Sequence, residues 1–220
     1  MASIFARKAA LRKEMLRTLR QIPEEALASQ SAAVARVLAG QEWYTSAKTV
    51  GCYLSMARGE LRTHDIVADL LDKGKVVYTP YLPPSAATGE DNLMHMHRLY
   101  SPEDHAGCPT DKWGILDPGT KRYDVEGDRE DAMDPAAPGL DVILVPGVAF
   151  DANCNRLGRG KAFYDRFLAT YTAQKKRPLL MALALEPQLV DDVPVTPNDF
   201  GLDGVVSPGG VVWREGKSRA

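Results

Sequence analysis

The segment Asp141-Val142-Ile143-Leu144-Val145-Pro146 is a nearly continuous apolar run, shorter than a helix and without the alternation of a strand wetted on one face. Such a run reads as a β-strand covered on both sides, the mark of a parallel sheet packed between helices. The surrounding sequence supplies the helices. Ser3 is suited to cap a helix carrying Leu11, Met15 and Leu19 at four-residue spacing. Pro23-Glu24-Glu25 opens a second, running through Val34, Val37 and Leu38 to Gly40. Thr63 is placed to cap a third with Ile66, Val67, Leu70 and Leu71, closed by Gly74. A fourth covers 161–172 with Phe163, Phe167 and Tyr171 facing inward. Between them, 49–54, 76–78, 179–185 and 204–206 are β-rich.

Strands alternating with helices predict an α/β layered fold with a mostly parallel sheet, and no linker divides the chain, so one domain spanning 1–220 is expected. Two stretches break the pattern. Residues 83–92 lack periodicity and read as a surface loop. Residues 121–139 hold six acidic against three basic residues, with Pro135 and Pro138, and read as an exposed insertion.

Charge narrows the function. The 27 Lys+Arg against 29 Asp+Glu leave a net −2, which argues against nucleic acid as a partner. No apolar stretch approaches the length a bilayer requires, so no membrane partner is expected. Cys52, Cys108 and Cys154 form no CxxC pair, which excludes a zinc knuckle and suits a reducing compartment. A cytoplasmic location follows, although residues 3–20, with six basic residues and only Glu14 acidic, also have the composition of a mitochondrial presequence.

The densest chemical signal is Asn155-Arg156-Leu157-Gly158-Arg159-Gly160-Lys161-Ala162-Phe163-Tyr164-Asp165, which follows the apolar strand and opens a helix. Two glycines allow close backbone approach, while helix-start amides and Arg156, Arg159 and Lys161 offer positive charge, so a polyphosphate is the natural guest. Standard phosphate motifs fail. Ala162 stands where a P-loop needs Ser or Thr, and Phe163 where a dinucleotide loop needs its third glycine. Lys8 and Arg12, one helical turn apart, share a face and could clamp a nucleotide or could be a solvated surface. His95 and His97 sit two apart on one face of a strand, as metal ligands sometimes do, but no third ligand is apparent.

The run Val145-Pro146-Gly147-Val148-Ala149-Phe150-Asp151, then Arg156-Leu157-Gly158-Arg159-Gly160-Lys161 and Tyr164-Asp165, closely resembles the 5-formyltetrahydrofolate cyclo-ligase family. The resemblance continues in order through Lys8 and Arg12, Leu54-Ser55-Met56 with Glu60-Leu61 and Thr63, Trp113-Gly114-Ile115 with Pro118, and Val193-Pro194-Val195 with Asn198-Asp199. It implies a three-layer α/β/α sandwich like that of sugar-phosphate isomerases and coenzyme A transferases. It also implies cyclisation of 5-formyltetrahydrofolate to 5,10-methenyltetrahydrofolate with ATP and Mg2+, by a monomer.

On that resemblance the ATP site comprises Lys8, Arg12 and the loop Arg156, Leu157, Gly158, Arg159, Gly160, Lys161, Ala162, Phe163 and Tyr164. Arg159, Lys161 and Tyr164 are catalytic, Leu54, Glu60, Trp113 and Phe163 hold the folate, and Asp165 and Asp199 hold the metal. Two positions depart from the family pattern. Ala162 replaces a glycine, tolerable with ordinary helical dihedrals but strained at positive φ. Phe163 replaces a tyrosine and drops a hydroxyl. The rival readings are a sugar-phosphate isomerase-like enzyme or a non-catalytic folate- or nucleotide-binding module.

Overall fold

A computed structural model describes residues 3–83, 93–111 and 114–217. Its elements are α1 (Ile4–Arg20), α2 (Glu24–Ala39), α3 (Glu42–Thr45), β1 (Thr49–Cys52), α4 (His64–Asp72), β2 (Val76–Tyr81), β3 (His95–Leu99) and α5 (Pro102–Gly107). After a long connection come β4 (Val142–Val145), β5 (Ala149–Phe150), β6 (Arg156–Leu157), α6 (Phe163–Gln174), β7 (Leu179–Leu183), β8 (Gly204–Ser207) and β9 (Gly210–Trp213). Trp113, expected to stack on the folate, and 84–92 of the expected loop lie outside the described residues.

Seven strands form one sheet in the order β3-β2-β1-β4-β7-β8-β9, with β5 and β6 a separate ribbon. Strands β2, β1, β4, β7 and β8 run parallel, and β3 and β9 close the two edges antiparallel. The apolar run behaves as its composition demands. Val142 and Leu144 enter the core on one face, with Met15 and Leu19 of α1, Leu27, Val34 and Leu38 of α2, and Val67 and Leu70 of α4. Ile143 and Val145 enter the opposite core with Phe167, Leu168 and Tyr171 of α6. Two cores flanking one sheet make the three layers.

Local signals explain most boundaries. Ser3 accepts from the Ala6 amide as N-cap of α1, and Gly40 ends α2. Thr63 differs from expectation. It occupies the N-cap position of α4 without capping it; its hydroxyl donates to the Tyr53 carbonyl at 2.6 Å and accepts from the Ser55 amide. The residue therefore ties the end of β1 to the start of α4 and closes the loop that carries Glu60. The stretch 121–139 also differs in part. Lys121, Tyr123 and Val125 are exposed, but Arg129, Ala132 and Ala137 are buried, so the insertion is anchored rather than free. Strand β9 adds to the expected strands: Pro208-Gly209 makes a two-residue hairpin turn between Ser207 and Gly210.

Sheet order reverses between β1 and β4, whose neighbours lie on opposite sides. Crevices for ligands open at the carboxyl ends of strands beside such a switch point. The segment Tyr53 to Glu60 leaves β1 there, and Pro146 to Lys161 leaves β4 there.

Candidate functional site

The connection after β4 folds as the β5–β6 ribbon, and Asp151 holds it together. Its Oδ1 accepts from the Asn153 and Asn155 amides at 2.9 and 3.0 Å, and its Oδ2 from Asn155 Nδ2 and the Val193 amide, both at 3.0 Å. Asp151 is buried and fully engaged, so it is a positioning residue that aims Arg156 and the following loop. Its place between Phe150 and Ala152 carries no local sign of this role.

The loop then meets α1. Arg12 Nε donates to the Gly158 carbonyl at 2.9 Å, and its guanidinium lies where a Cβ on Gly160 would come within 3.5 Å. Gly160 has φ +98°, a conformation that favours glycine, so it is the turn rather than the packing of Arg12 that calls for this residue. Lys8 Nζ donates to Asp199 Oδ2, which also accepts from the Thr196 amide and hydroxyl at 2.5 and 2.8 Å. Lys8 and Arg12 are thus both engaged within the chain, Lys8 with Asp199 and Arg12 with the loop backbone, rather than free in solvent. Burial opposes charge on Asp199, but the Lys8 ammonium and the Thr196 donors outweigh it and hold the carboxyl below its ordinary range.

Arg156 is buried, and its Nη2 donates to both oxygens of Asp165 at 3.0 Å, while the Phe200 amide donates to Asp165 Oδ1 at 3.0 Å. Arg156 and Asp165 are therefore committed to each other within the chain. Beside them a polar cavity of about 210 Å3 is lined by Arg156, Thr196, Asp199 and Arg214. Ligand pockets for drug-sized molecules run about 300–1,000 Å3, so this hollow suits a phosphate group or a hydrated ion rather than a whole nucleotide. Thr196 and Arg214 were not singled out from sequence. The Thr196-Pro-Asn-Asp199 turn could have pointed to the first, and no local pattern marks the second.

Arg159 and Lys161 carry the exposed charge of the loop. Among the described residues no carboxylate pairs with Lys161, whereas Arg159 Nη2 lies 3.7 Å from Glu60 Oε1. Glu60 is buried and accepts from the Met56 amide at 2.9 Å. Burial raises its pKa, and the Met56 amide and Arg159 only partly offset the rise. Leu54 is buried in the core on the α1 side, and Leu157 is buried in β6. Tyr164 reaches both cores, and its buried hydroxyl has no hydrogen-bond partner among the described residues, as is true of Arg156 Nε. Burial raises the Tyr164 pKa far above that of a free phenol, so the hydroxyl can donate but cannot serve as a base.

The two departures from the family pattern resolve differently. Ala162 is the N-cap of α6 at φ 52°, ψ 26°, in the left-handed region, so the strain anticipated for a side chain at positive φ is present. Phe163 is half-buried, packs against the α6-side core and carries the Arg166 guanidinium 5.5 Å from its ring centre.

Sequence and fold comparisons agree on the lineage. The family model of the 5-formyltetrahydrofolate cyclo-ligase family matches residues 4–208. A 5-formyltetrahydrofolate cyclo-ligase of Mus musculus is 34% identical over 206 residues, covering 93% of this chain and 95% of the relative. A mitochondrial 5-formyltetrahydrofolate cyclo-ligase of Arabidopsis thaliana is 31% identical, covering 96% of this chain and 77% of the relative. The solved structure of an Aquifex aeolicus 5,10-methenyltetrahydrofolate synthetase superposes with a TM-score of 0.72 at 29% identity, covering 96% of this chain and 95% of that one. The motif order, the site at the sheet's switch point and these likenesses together make the chain a member of the 5-formyltetrahydrofolate cyclo-ligase family.

Proposed function

We propose that this crevice binds ATP and 5-formyltetrahydrofolate side by side and closes the folate ring to 5,10-methenyltetrahydrofolate, releasing ADP and phosphate. Family membership supports the reaction class. The single structural observation that carries it is the Arg159–Glu60 contact at 3.7 Å, which joins a phosphate-type loop to a buried carboxylate suited to a pterin.

The formyl oxygen on nitrogen 5 attacks the γ-phosphorus as its bond to the β-phosphate oxygen breaks. Nitrogen 10 then attacks the activated carbon, loses its proton, and phosphate departs with the former formyl oxygen. An amide-type oxygen is a weak nucleophile, so alignment and charge neutralisation must do most of the work. Arg159 and Lys161 supply that neutralisation as catalytic residues. Lys8 and Arg12 clamp the nucleotide from α1, against the backbone of Leu157, Gly158, Gly160, Ala162 and Phe163. Arg156 orients Asp165 and closes the floor. Tyr164, with its proton firmly held, donates to an oxygen that gains charge in the transition state.

Glu60 receives the pterin's N–H donors. Those hydrogen bonds favour its ionised form and offset the burial that now raises its pKa. Leu54, Phe163 and Trp113 provide apolar contact for the ring system.

Asp199 and Asp165 are the residues that would hold Mg2+. All three hydrogen bonds to Asp199 fall on Oδ2, and it lines a hollow that suits a hydrated ion, which is what magnesium's preference for few carboxylates and several waters requires. When bound, the ion would neutralise the phosphate oxygens. We take the working unit to be a monomer. We assign the protein to the cytoplasm, because the basic residues that resemble an import signal include Lys8 and Arg12, which the fold uses at the site. No helix among the described residues is long and apolar enough to cross a membrane. A sugar-phosphate isomerase on the same scaffold would have no use for Lys8 and Arg12, and a non-catalytic module would have no need to keep the exposed loop cations.

The deciding experiment mixes protein, 5-formyltetrahydrofolate, ATP and Mg2+ and follows the methenyl chromophore. Absorbance should grow only with all components present; a flat trace from folded protein overturns the assignment.

A further inference from the structure

Strand β3 alternates, so Met94 and Met96 are buried in the α6-side core while His95 and His97 share the opposite face. The middle of the acidic stretch returns along this edge: the Ala132 amide donates to the Met96 carbonyl at 2.8 Å, the Arg98 amide to the Glu130 carbonyl at 2.9 Å, and His97 forms an isolated antiparallel bridge with Asp131. That return brings Asp131 to the two histidines. One ligand atom each from His95, His97 and Asp131 lie within 4.8 Å of one another.

Each of the three is held by its surroundings. His97 Nδ1 lies 2.6 Å from the Gly119 carbonyl, which can only accept, so the proton sits on Nδ1 and the lone pair of Nε2 is open. The ring of Tyr81 stacks on His97 at 4.5 Å and fixes its plane. Asp131 Oδ1 accepts from the Met133 amide at 3.0 Å, and its Oδ2 lies 2.6 Å from His95 Nδ1. An imidazole anchored to a backbone carbonyl through its second nitrogen, beside an oriented carboxylate, is how proteins preorganise metal ligands. The side chains of His95 and Asp131 remain 30% and 17% exposed, which leaves an entry path.

We propose that His95, His97 and Asp131 bind one divalent transition-metal ion, of the class of Zn2+, Co2+ or Ni2+, with solvent completing the shell. Two imidazoles and one carboxylate suit these ions, and three protein ligands leave a position open. Magnesium prefers an all-oxygen shell, so this site is separate from the one proposed at Asp199 and Asp165 and does not depend on the ligase reading. On binding, bonds to the ion replace the His95–Asp131 hydrogen bond, and the ion staples the 129–132 segment and, through Gly119, the preceding turn to the edge strand.

The test titrates ZnCl2 into the metal-free full-length protein in excess Mg2+ by calorimetry, with CoCl2 followed by visible absorption as a coordination readout. One equivalent should bind, with cobalt bands of low-symmetry coordination and a rise in thermal midpoint. His95→Ala and Asp131→Asn should each weaken binding by about tenfold or more. His95 is partly exposed, so its replacement should fold, which circular dichroism checks. No binding by millimolar Zn2+ overturns the proposal, and so does binding that neither variant weakens, because it assigns the ion to other residues.

Discussion

Two ion-paired regions of this molecule hide charge in opposite ways. Beneath the 121–139 segment, Asp104 and Arg129 have fully buried side chains, and both are completely engaged. Each oxygen of Asp104 accepts one guanidinium N–H and one backbone amide, from Tyr123 and Tyr100. Arg129 in turn reaches both Asp104 oxygens, the Pro118 and Arg98 carbonyls and, at 3.8 Å, the Cys108 sulfur. At the β1–β4 switch point, Arg156 and Asp165 also pair, yet Arg156 Nε and the Tyr164 hydroxyl stay buried without partners among the described residues, and Lys161 and Arg159 stand exposed nearby. A charge buried and fully answered within the chain holds structure. Buried polar groups left without partners, beside an exposed Lys161 and an Arg159 that reaches only Glu60 at 3.7 Å, are the pattern expected where a ligand would complete the set.

The largest effect should come from breaking the complete pair. Asp104→Asn leaves the Arg129 charge buried without a counter-ion and should cost about 3–5 kcal/mol in denaturant unfolding. A loss under about 1 kcal/mol would mean that the pair has no structural privilege over an exposed one. The same carboxyl makes a pH prediction. Burial opposes its charge, but Arg129 and the two amides prevail and hold it below the ordinary range. Its contribution is therefore complete above a normal aspartate pKa of about 3.9 and is lost as pH falls through the lower folded-state value. Wild-type acid unfolding should steepen there, and the Asn variant should lack that component.

The incomplete region should instead respond in catalysis. Lys161→Ala, changing an exposed side chain, should leave stability within about 0.5 kcal/mol but lower turnover by about 10²-fold, with folate binding less affected. Unchanged turnover removes Lys161 from the site. Asp199→Asn should shift the Mg2+ concentration for half-maximal rate upward by about tenfold, by analogy with the loss of one coordinating or orienting group; an unaltered magnesium curve assigns the metal elsewhere. The smallest effect concerns strain. Ala162→Gly should stabilise the protein by up to about 1 kcal/mol by relieving a left-handed alanine, partly offset by the freedom glycine has when unfolded. Destabilisation would show that the Ala162 methyl makes a contact outweighing its dihedral cost.

Much of the fold was written locally. Hydrophobic period and caps identified α1, α2, α4 and α6 and the central strands, because these elements bury one stripe or both faces and show it in their spacing. The glycine- and cation-rich stretch that opens α6 was equally visible, since its residues are contiguous in the chain. Contacts between distant segments were not visible. Arg129 looked like one more charge in an acidic insertion, because nothing near it in sequence announces Asp104. His95 and His97 lacked a third ligand until the chain returned 34 residues later with Asp131. Arg156 was read as a loop cation free for phosphate, while the fold commits it to Asp165.

By itself the sequence determined the layered α/β class, the order of its elements and the composition of the loop that opens α6, because short-range propensity, patterning and capping act within a few residues. Only the tertiary structure decided which charges are paired and which are left to meet a ligand. It also decided that Ala162 must adopt a left-handed turn and that an edge strand gathers two imidazoles and a carboxylate. Those outcomes depend on distances across the sheet, where burial raises the cost of every unpaired charge, and no local pattern records them.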